Sequence, residues 1–228
     1  MVVAPTRREL GGLPPGQRGG VLAAVTGLGE AAAPAFTDLL AAHRPALVLS
    51  IGFAGGLTPQ LRSGALVACG SFCADPAEQS WLFPTIDAGA ATLRLVVDQL
   101  GQSVASGPLL TVPVPLLTGA EKRRAGSETG AALVDMEGYW LAKVAAEHQV
   151  GFVGLRVVLD AVDQELPAFV AAIVAAQDRQ EWRHTVRWLL THPWGLPNLV
   201  ALANRARRAR LALRWAVRVL VPALGSST

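Results

Sequence analysis

The run "ALVDMEGYWLAK", Ala132 to Lys143, sets two carboxylates, Asp135 and Glu137, around Met136 where a strand-like stretch gives way to a helical one. Carboxylates at such a junction suit general acid or base work or the binding of a polar ligand. They equally suit a helix start, where the dipole favours negative charge. On a continuing strand neighbours one apart point to opposite sides, so Asp135 reads as a structural hydrogen bonder or cap and Glu137 as the residue available for chemistry. A second pair, Asp160 and Asp163, follows the apolar run "FVGLRVVLD". Asp160 is the candidate acid and Asp163 a support for the loop, although turns favour acids in any case. Arg156 lies inside that run, where a guanidinium is expensive to bury without an anion. Glu9, in "TRRE", is either a site carboxylate or part of a solvated turn. Phe152 is a base-stacking candidate or simply core. "GFAGG", with Phe53, Gly55 and Gly56, reads as a tight turn or as a loop whose N–H groups approach a phosphate or ribose oxygen.

The elements that must position these residues alternate. "MVVAPT" and "GVLAAVTGLG" read as strands, and "EAAAPAFTDLLAAHRP" as a helix with Ala32, Phe36, Leu39 and Leu40 on one face, stopping at Pro45. "ALVLSIGFAGG" reads as a strand buried on both faces, "GALVACGSF" as a further strand, and "ATLRLVVDQLG" as a helix. "PLLTVPVPLLT" reads as a proline-punctuated strand; "GAEKRRAGSETG" is given no element. "AALVDM" and "FVGLRVVLDA" are strands flanking the helix "EGYWLAKVAAEHQ". Such alternation predicts an α/β fold, whose ligands gather beyond the carboxyl ends of strands. "GFAGG", "DMEG" and "VLDAVD" all fall there.

The chain of 228 residues, 51% hydrophobic and 16% charged, is sized for one globular core. Its N-terminus lacks a secretory signal and no window predicts a spanning helix, so a cytoplasmic protein is expected. Cys69 and Cys73 have neither a second pair nor a histidine nearby, which argues against zinc and disulfides and for small buried hydrophobes. "TGLGEAA" has Ala32 where a dinucleotide fingerprint needs its third glycine, and no acid follows at the required distance. From Trp182 to Thr228 there is no Asp or Glu but there are eight arginines, while the rest of the chain is net acidic. On a helix, Leu199, Leu202, Ala206, Ala209, Leu213, Ala216, Val217 and Leu220 gather in one arc, bordered by Arg207, Arg210, Arg214 and Arg218 on one side and Arg205 and Arg208 on the other. That stripe either packs on the domain or lies in an anionic membrane interface, joined there by Trp182, Trp188 and Trp194. Nucleic acid is not expected, since no aromatic reading surface accompanies the arginines.

Four segments together resemble the nucleoside phosphorylase and nucleosidase superfamily, which includes methylthioadenosine/S-adenosylhomocysteine nucleosidase. They are "VVAPTRREL", "TGLGEAAA", "IGFAGGLTPQLRSGALV" and "LVDMEGYWLAKVAAEHQVGFVGLRVVLDAVD", in order over most of Val2 to Asp163. The resemblance implies a three-layer α/β/α sandwich with a mixed, mostly parallel twisted sheet. It also divides the chain into a catalytic domain over 1–178 and an Arg/Trp-rich helical extension over 179–228. Cleaving an N-ribosidic bond builds positive charge on the sugar, so such a site needs a carboxylate for the sugar, an acid for the base and a delivered nucleophile. By resemblance Glu137 binds the ribose hydroxyls with Met136 beneath the sugar, and Asp160 protonates the purine. Glu9 orients or deprotonates the attacking water, Arg156 lies near that water or a phosphate, and Gly55 and Gly56 belong to the substrate loop. No metal or organic cofactor is implied, though inorganic phosphate would be a co-substrate in a phosphorylase, and a homo-oligomer is expected.

Phe53 and Leu159 stand where the nucleosidases carry hydroxyl residues, which puts the nucleophile and the sugar substituent in question. With the tail and a short N-terminal region, the chain looks like the hopanoid-associated branch, which implies adenine release from a lipid-linked nucleoside such as adenosylhopane. The alternatives are a methylthioadenosine- or futalosine-type nucleosidase acting on soluble substrates and a catalytically silent nucleoside binder.

Overall fold

The structure, a computed structural model, describes residues 1–18, 20–74, 87–101, 104–167 and 196–225. Its elements follow the chain as β1 (Val2–Ala4), β2 (Gly16–Arg18), β3 (Val21–Val25), α1 (Ala32–His43), β4 (Leu47–Gly56), β5 (Leu66–Cys69), β6 (Phe72–Ala74), α2 (Asp87–Leu100), β7 (Val104–Ser106), β8 (Leu109–Thr111), α3 (Gly119–Thr129), β9 (Leu133–Asp135), α4 (Gly138–Glu147), β10 (Gly151–Asp160) and α5 (Leu196–Gly225).

The longest apolar runs make the middle of the sheet. Strand β10 pairs in parallel with β4 and antiparallel with β5, and β1 pairs in parallel with both β3 and β4. The main path is β2-β3-β1-β4-β10-β5-β7, with a branch in which β9 runs antiparallel to β4 and carries β8 and then β6. Period-two alternation sends side chains of β10 to two separate cores. Val153, Leu155 and Val157 join Val96 and Leu100 of α2 and the buried stripe of α5, whereas Phe152 and Val158 join Phe36 and Leu40 of α1 and Leu141 and Ala145 of α4. The sheet is therefore covered on both faces, a mixed, mostly parallel α/β/α arrangement.

Several expectations need correction. The proline-punctuated strand is a strand only over Leu109–Thr111, because the prolines at 113 and 115 cannot donate to a ladder. "GALVACGSF" splits into β5 and β6 at Gly70 and Ser71. "GFAGG" is neither turn nor loop: Gly55 and Gly56 are ladder residues of β4, opposite Val134 and Leu133 of β9. The segment given no element contains α3. It opens on a capping box, Thr118 Oγ1 accepting from the Glu121 N–H while Glu121 accepts from the Thr118 N–H, and closes on Gly130 in the left-handed region. The stop of α1 follows expectation, with Arg44 in a left-handed cap immediately before Pro45.

The C-terminal stripe packs on the domain. Ala209, Leu213, Ala216, Val217 and Leu220 are buried in the core shared with the sheet and α2, while Leu202 and Ala206 are half-buried. A membrane cannot use an arc that the protein already covers. The opposite side of α5 exposes Val200, Leu211 and Trp215 with Arg207, Arg208, Arg214 and Arg218. Trp182, Trp188 and Trp194, and the expected boundary after residue 178, lie outside the described residues. Among the described residues no helix is long and apolar enough to cross a membrane.

Candidate active site

Strand β4 is the spine of the site, and glycines at 52 and 55 let carboxylates from other elements come close. A Cβ at Gly52 would sit 3.1 Å from Glu9 Oε2, and one at Gly55 would sit 3.5 Å from Asp160 Oδ2. Glu9 is placed by the turn after β1: its N–H donates to the Thr6 carbonyl, its Oε1 accepts from the Thr6 hydroxyl at 2.6 Å, and its Oε2 accepts from the Phe53 N–H at 3.1 Å. The solvated-turn reading of "TRRE" thus gives way to a buried carboxylate anchored on β4. Burial raises its pKa, against the pull of those two hydrogen bonds and of Arg156.

Strand β9, running antiparallel to β4, carries the chain from Val134 back along β4 and delivers Asp135, Met136 and Glu137 beside Glu9. Asp135 is consumed by structure. Its Oδ1 accepts from the Thr111 hydroxyl at 2.7 Å, and both oxygens accept from the Gly138 N–H at 3.1 Å, holding the start of α4. Its Oδ2 also takes the Arg156 Nε and Nη2 at 3.0 and 2.9 Å. Glu137, at the N-terminal boundary of α4, makes no side-chain cap and is buried. Its pKa is pushed well above the carboxylate range, by burial first and then by Asp135 and Glu9, with Arg156 opposing. Met136 is half-buried, and its carbonyl faces the glycine turn at Gly29, where φ is 64°.

Arg156 is fully buried, and the anion that accompanies it is Asp135 rather than a bound phosphate. Its remaining donors reach the Ser50 carbonyl at 2.8 Å, the Ser50 hydroxyl at 3.2 Å and the Leu155 carbonyl at 3.4 Å. A guanidinium has five N–H groups, and here all of them face protein acceptors. The placement of Arg156 against an attacking water or phosphate is corrected accordingly: its charge holds the β9–α4 junction. Burial opposes that charge, but Asp135 and Glu137 outweigh it and raise its pKa.

Asp160 ends β10 after a register shift at Val158, opposite Gly55. Such a bulge re-aims a strand-end side chain. Its Oδ2 is held by the ammonium of Lys122, a fully buried residue of α3 that also donates to the Ala161 carbonyl at 3.3 Å and the Gln164 carbonyl at 2.6 Å. Among the described residues Asp160 Oδ1 has no hydrogen bond. Burial raises the pKa of Asp160, and Lys122 pulls the other way. Asp163 is exposed and paired with Arg62 at 3.2 Å, a surface contact of the following loop. Lys122 went unread in the sequence because its helix has no apolar stripe. The signals that mark that helix are polar, "TGAE" at the start and Gly130 at the end.

One expected residue lies apart from this group. Phe152, near the start of β10, is eight residues from Asp160, about 26 Å along a strand, and packs edge-on against Phe36 and Phe72 at centroid distances of 6.3 and 5.3 Å. It is core, not a base platform. Phe53 and Leu159 are half-buried on the side of the sheet that faces α2 and α5. Cys69 is buried, its thiol pushed up to about 12 by desolvation, and Cys73 is half-buried; both are free.

No curated protein matches the chain in sequence. Solved structures match its fold along nearly the whole length. Futalosine hydrolase of Helicobacter pylori strain 26695 superposes with a TM-score of 0.68 at 16% identity, covering 97% of this chain and 96% of that one. Helicobacter pylori 5′-methylthioadenosine/S-adenosyl homocysteine nucleosidase, complexed with a pyrrolidinol ligand, gives 0.63 at 18% identity over 95% and 96%. A putative nucleosidase of the same type from Francisella philomiragia gives 0.66 at 14% identity over 97% of each chain. The phosphorylase superfamily model matches residues 9–183, a span that takes in Glu9, the β4 glycines, Glu137 and Asp160. The chain belongs to the phosphorylase superfamily.

Proposed function

We propose that the chain cleaves the N-glycosidic bond of a purine nucleoside and releases adenine. The observation that carries this reading is that Glu9 and Asp160, from separate elements, both reach β4, at Gly52 and Gly55, with Glu9 near enough to raise the pKa of buried Glu137 further. In this reading Glu137 accepts hydrogen bonds from the ribose hydroxyls and opposes the positive charge that grows on the sugar. Asp160 presents its free oxygen to the purine as acid, and Glu9 orients the attacking water, with phosphate as the alternative nucleophile. Burial keeps water away and strengthens each of these interactions.

The substrate we favour carries a large apolar 5′ substituent, as adenosylhopane does in hopanoid biosynthesis. Phe53 and Leu159 support it, being apolar and half-buried where a soluble-substrate enzyme would place hydroxyls. A cytoplasmic enzyme with such a substrate would meet it at an anionic membrane surface through the outer side of α5, where Leu211 and Trp215 are 55% and 45% exposed among arginines. The competing substrates are methylthioadenosine-type nucleosides and futalosine.

The test is chromatographic detection of free adenine from a panel of 5′-substituted adenosines, including a long-chain alkyl one, with and without phosphate. Release that favours the alkyl substrate is expected, and dependence on phosphate would identify the nucleophile. Preference for methylthioadenosine would overturn the lipid reading. Folded protein that binds adenosine yet releases no base would overturn the enzymatic one in favour of a nucleoside binder.

A further inference from the structure

The polar helix α3 approaches the end of β10 more closely than most residue types would permit. Gly119, Lys122 and Gly126 recur at i, i+3 and i+7 and so share one face. A Cβ at Gly119 would lie 2.8 Å from the Val162 carbonyl oxygen, and one at Gly126 would lie 2.9 Å from the Leu57 carbonyl oxygen. The two glycines press the helix onto the loop after Asp160 and onto the end of β4. Between them Lys122 is driven inward to its three acceptors, the Asp160 carboxylate and the carbonyls of Ala161 and Gln164. Three acceptors saturate an ammonium.

The loop it grips is closed by a second set of bonds. The Gln164 side-chain oxygen accepts from the Ala161 N–H at 3.0 Å, from the Ser63 hydroxyl at 2.7 Å and from Arg205 Nη1 of α5 at 3.0 Å. The Leu166 N–H donates to the Leu117 carbonyl at 2.8 Å, just before α3 begins. The carboxyl group of Asp160 is thus tethered on one oxygen and unencumbered on the other.

We propose that Lys122 is the positioning residue of the site: it fixes Asp160 with one oxygen committed to the ammonium and the other turned to the nucleobase, and its charge sets how readily Asp160 gives up a proton. The inference rests on the nucleoside-cleaving reading and adds to it a residue from an element outside the four resembling segments. Lys122 acts through Asp160, its ammonium being committed to protein acceptors. A lysine that only packed α3 against the loop, with Asp160 outside the chemistry, would leave the pH dependence of turnover unchanged.

Lys122→Gln removes the charge while leaving a donor for the carbonyls, and is compared with Asp160→Asn and with the double variant. The readouts are kcat and KM for adenine release, and the pH dependence of kcat/KM and of adenine binding. Lys122→Gln should lower kcat by about tenfold or more, as expected when a reacting group is misplaced, with KM changed by less than about threefold, the mark of an interaction made in the transition state. Without the Lys122 cation, burial acts on Asp160 against the weaker pull of Arg205 from α5 alone. An acid with a higher pKa stays protonated to higher pH, so the alkaline limb should move up by about one unit or more. In the Asp160→Asn background the same change should cost almost nothing, because the two residues act as one unit.

An unmoved alkaline limb, or an equal loss in both backgrounds, overturns the proposal. Should Lys122→Gln alone fail to fold, the double variant, which leaves neither charge of this pair, supplies the comparison with Asp160→Asn: equal residual activity supports the proposal and a further large loss overturns it. If the wild type turns over no substrate but binds adenine, the pH limb of binding reads the same shift. If the folded wild type does neither, the nucleoside reading itself falls and takes this one with it.

Discussion

Two buried ion pairs lie in the same site and do different things. Arg156–Asp135 and Lys122–Asp160 each join a fully buried cation to an aspartate at a strand end. In the first, Thr111 and Gly138 donate to the carboxylate, and every N–H of the guanidinium is taken up by Asp135 itself, Ser50 or Leu155. In the second, the ammonium is saturated but Asp160 keeps an oxygen without a partner among the described residues. Burial of a charge therefore says little about function; what separates a strut from a tool is the hydrogen-bonding capacity left over. The first pair fixes where Glu137 enters the site, and the second fixes the direction in which Asp160 faces.

Breaking the closed pair should have the largest effect. Arg156→Met leaves Asp135 buried without its cation and should cost about 3–5 kcal/mol, read as a lower urea midpoint with an unchanged slope. A cost below about 1 kcal/mol would mean the pair is no strut. The open pair should respond in activity instead. In Asp160→Asn the amide oxygen still meets Lys122, so the protein should fold while adenine release falls by about 100-fold or more. A loss of less than threefold would remove Asp160 from the chemistry.

A smaller effect sharpens the comparison at Glu137, which has no cation of its own. Its pKa is raised in the fold, so its stabilising contribution is full below the ordinary 4.5 and is lost as pH rises through the raised value. Glu137→Gln should therefore melt higher than the wild type at pH 8, with the advantage vanishing near pH 4, while binding of the ribose is lost. An advantage that does not grow with pH would contradict the electrostatic account. The smallest effect is expected at Phe152, which belongs to the core. Phe152→Leu should cost about 1 kcal/mol and leave KM unchanged; an altered KM would return it to the site.

The legible parts of the fold were those with a hydrophobic period. "ALVLSIGFAGG" and "FVGLRVVLDA" became the paired centre of the sheet, and Phe36 and Leu40 faced inward as their spacing predicts. Helix α3 was illegible by the same criterion, since the described buried face of that helix is Gly119 and Lys122. Its caps were the readable signal. The glycines of "GFAGG" were visible, but their purpose was not: they make room for β9 and for Asp160, and that need arises only once the strands are paired.

Residue types alone placed Glu137 and Asp160 at strand ends, and required an anion for an arginine within an apolar strand. Only the tertiary structure decided which anion, because Asp135 and Arg156 meet through the ordering of β4, β9 and β10 and not through any spacing in the chain. It likewise decided that the arginine-bordered stripe of α5 faces the sheet, since an amphipathic period encodes one apolar side but not what covers it. The partner of Asp160 followed the same rule. A lysine in a polar run is ordinarily solvated, and Lys122 is buried because two glycines allow α3 near enough for three acceptors to replace its water.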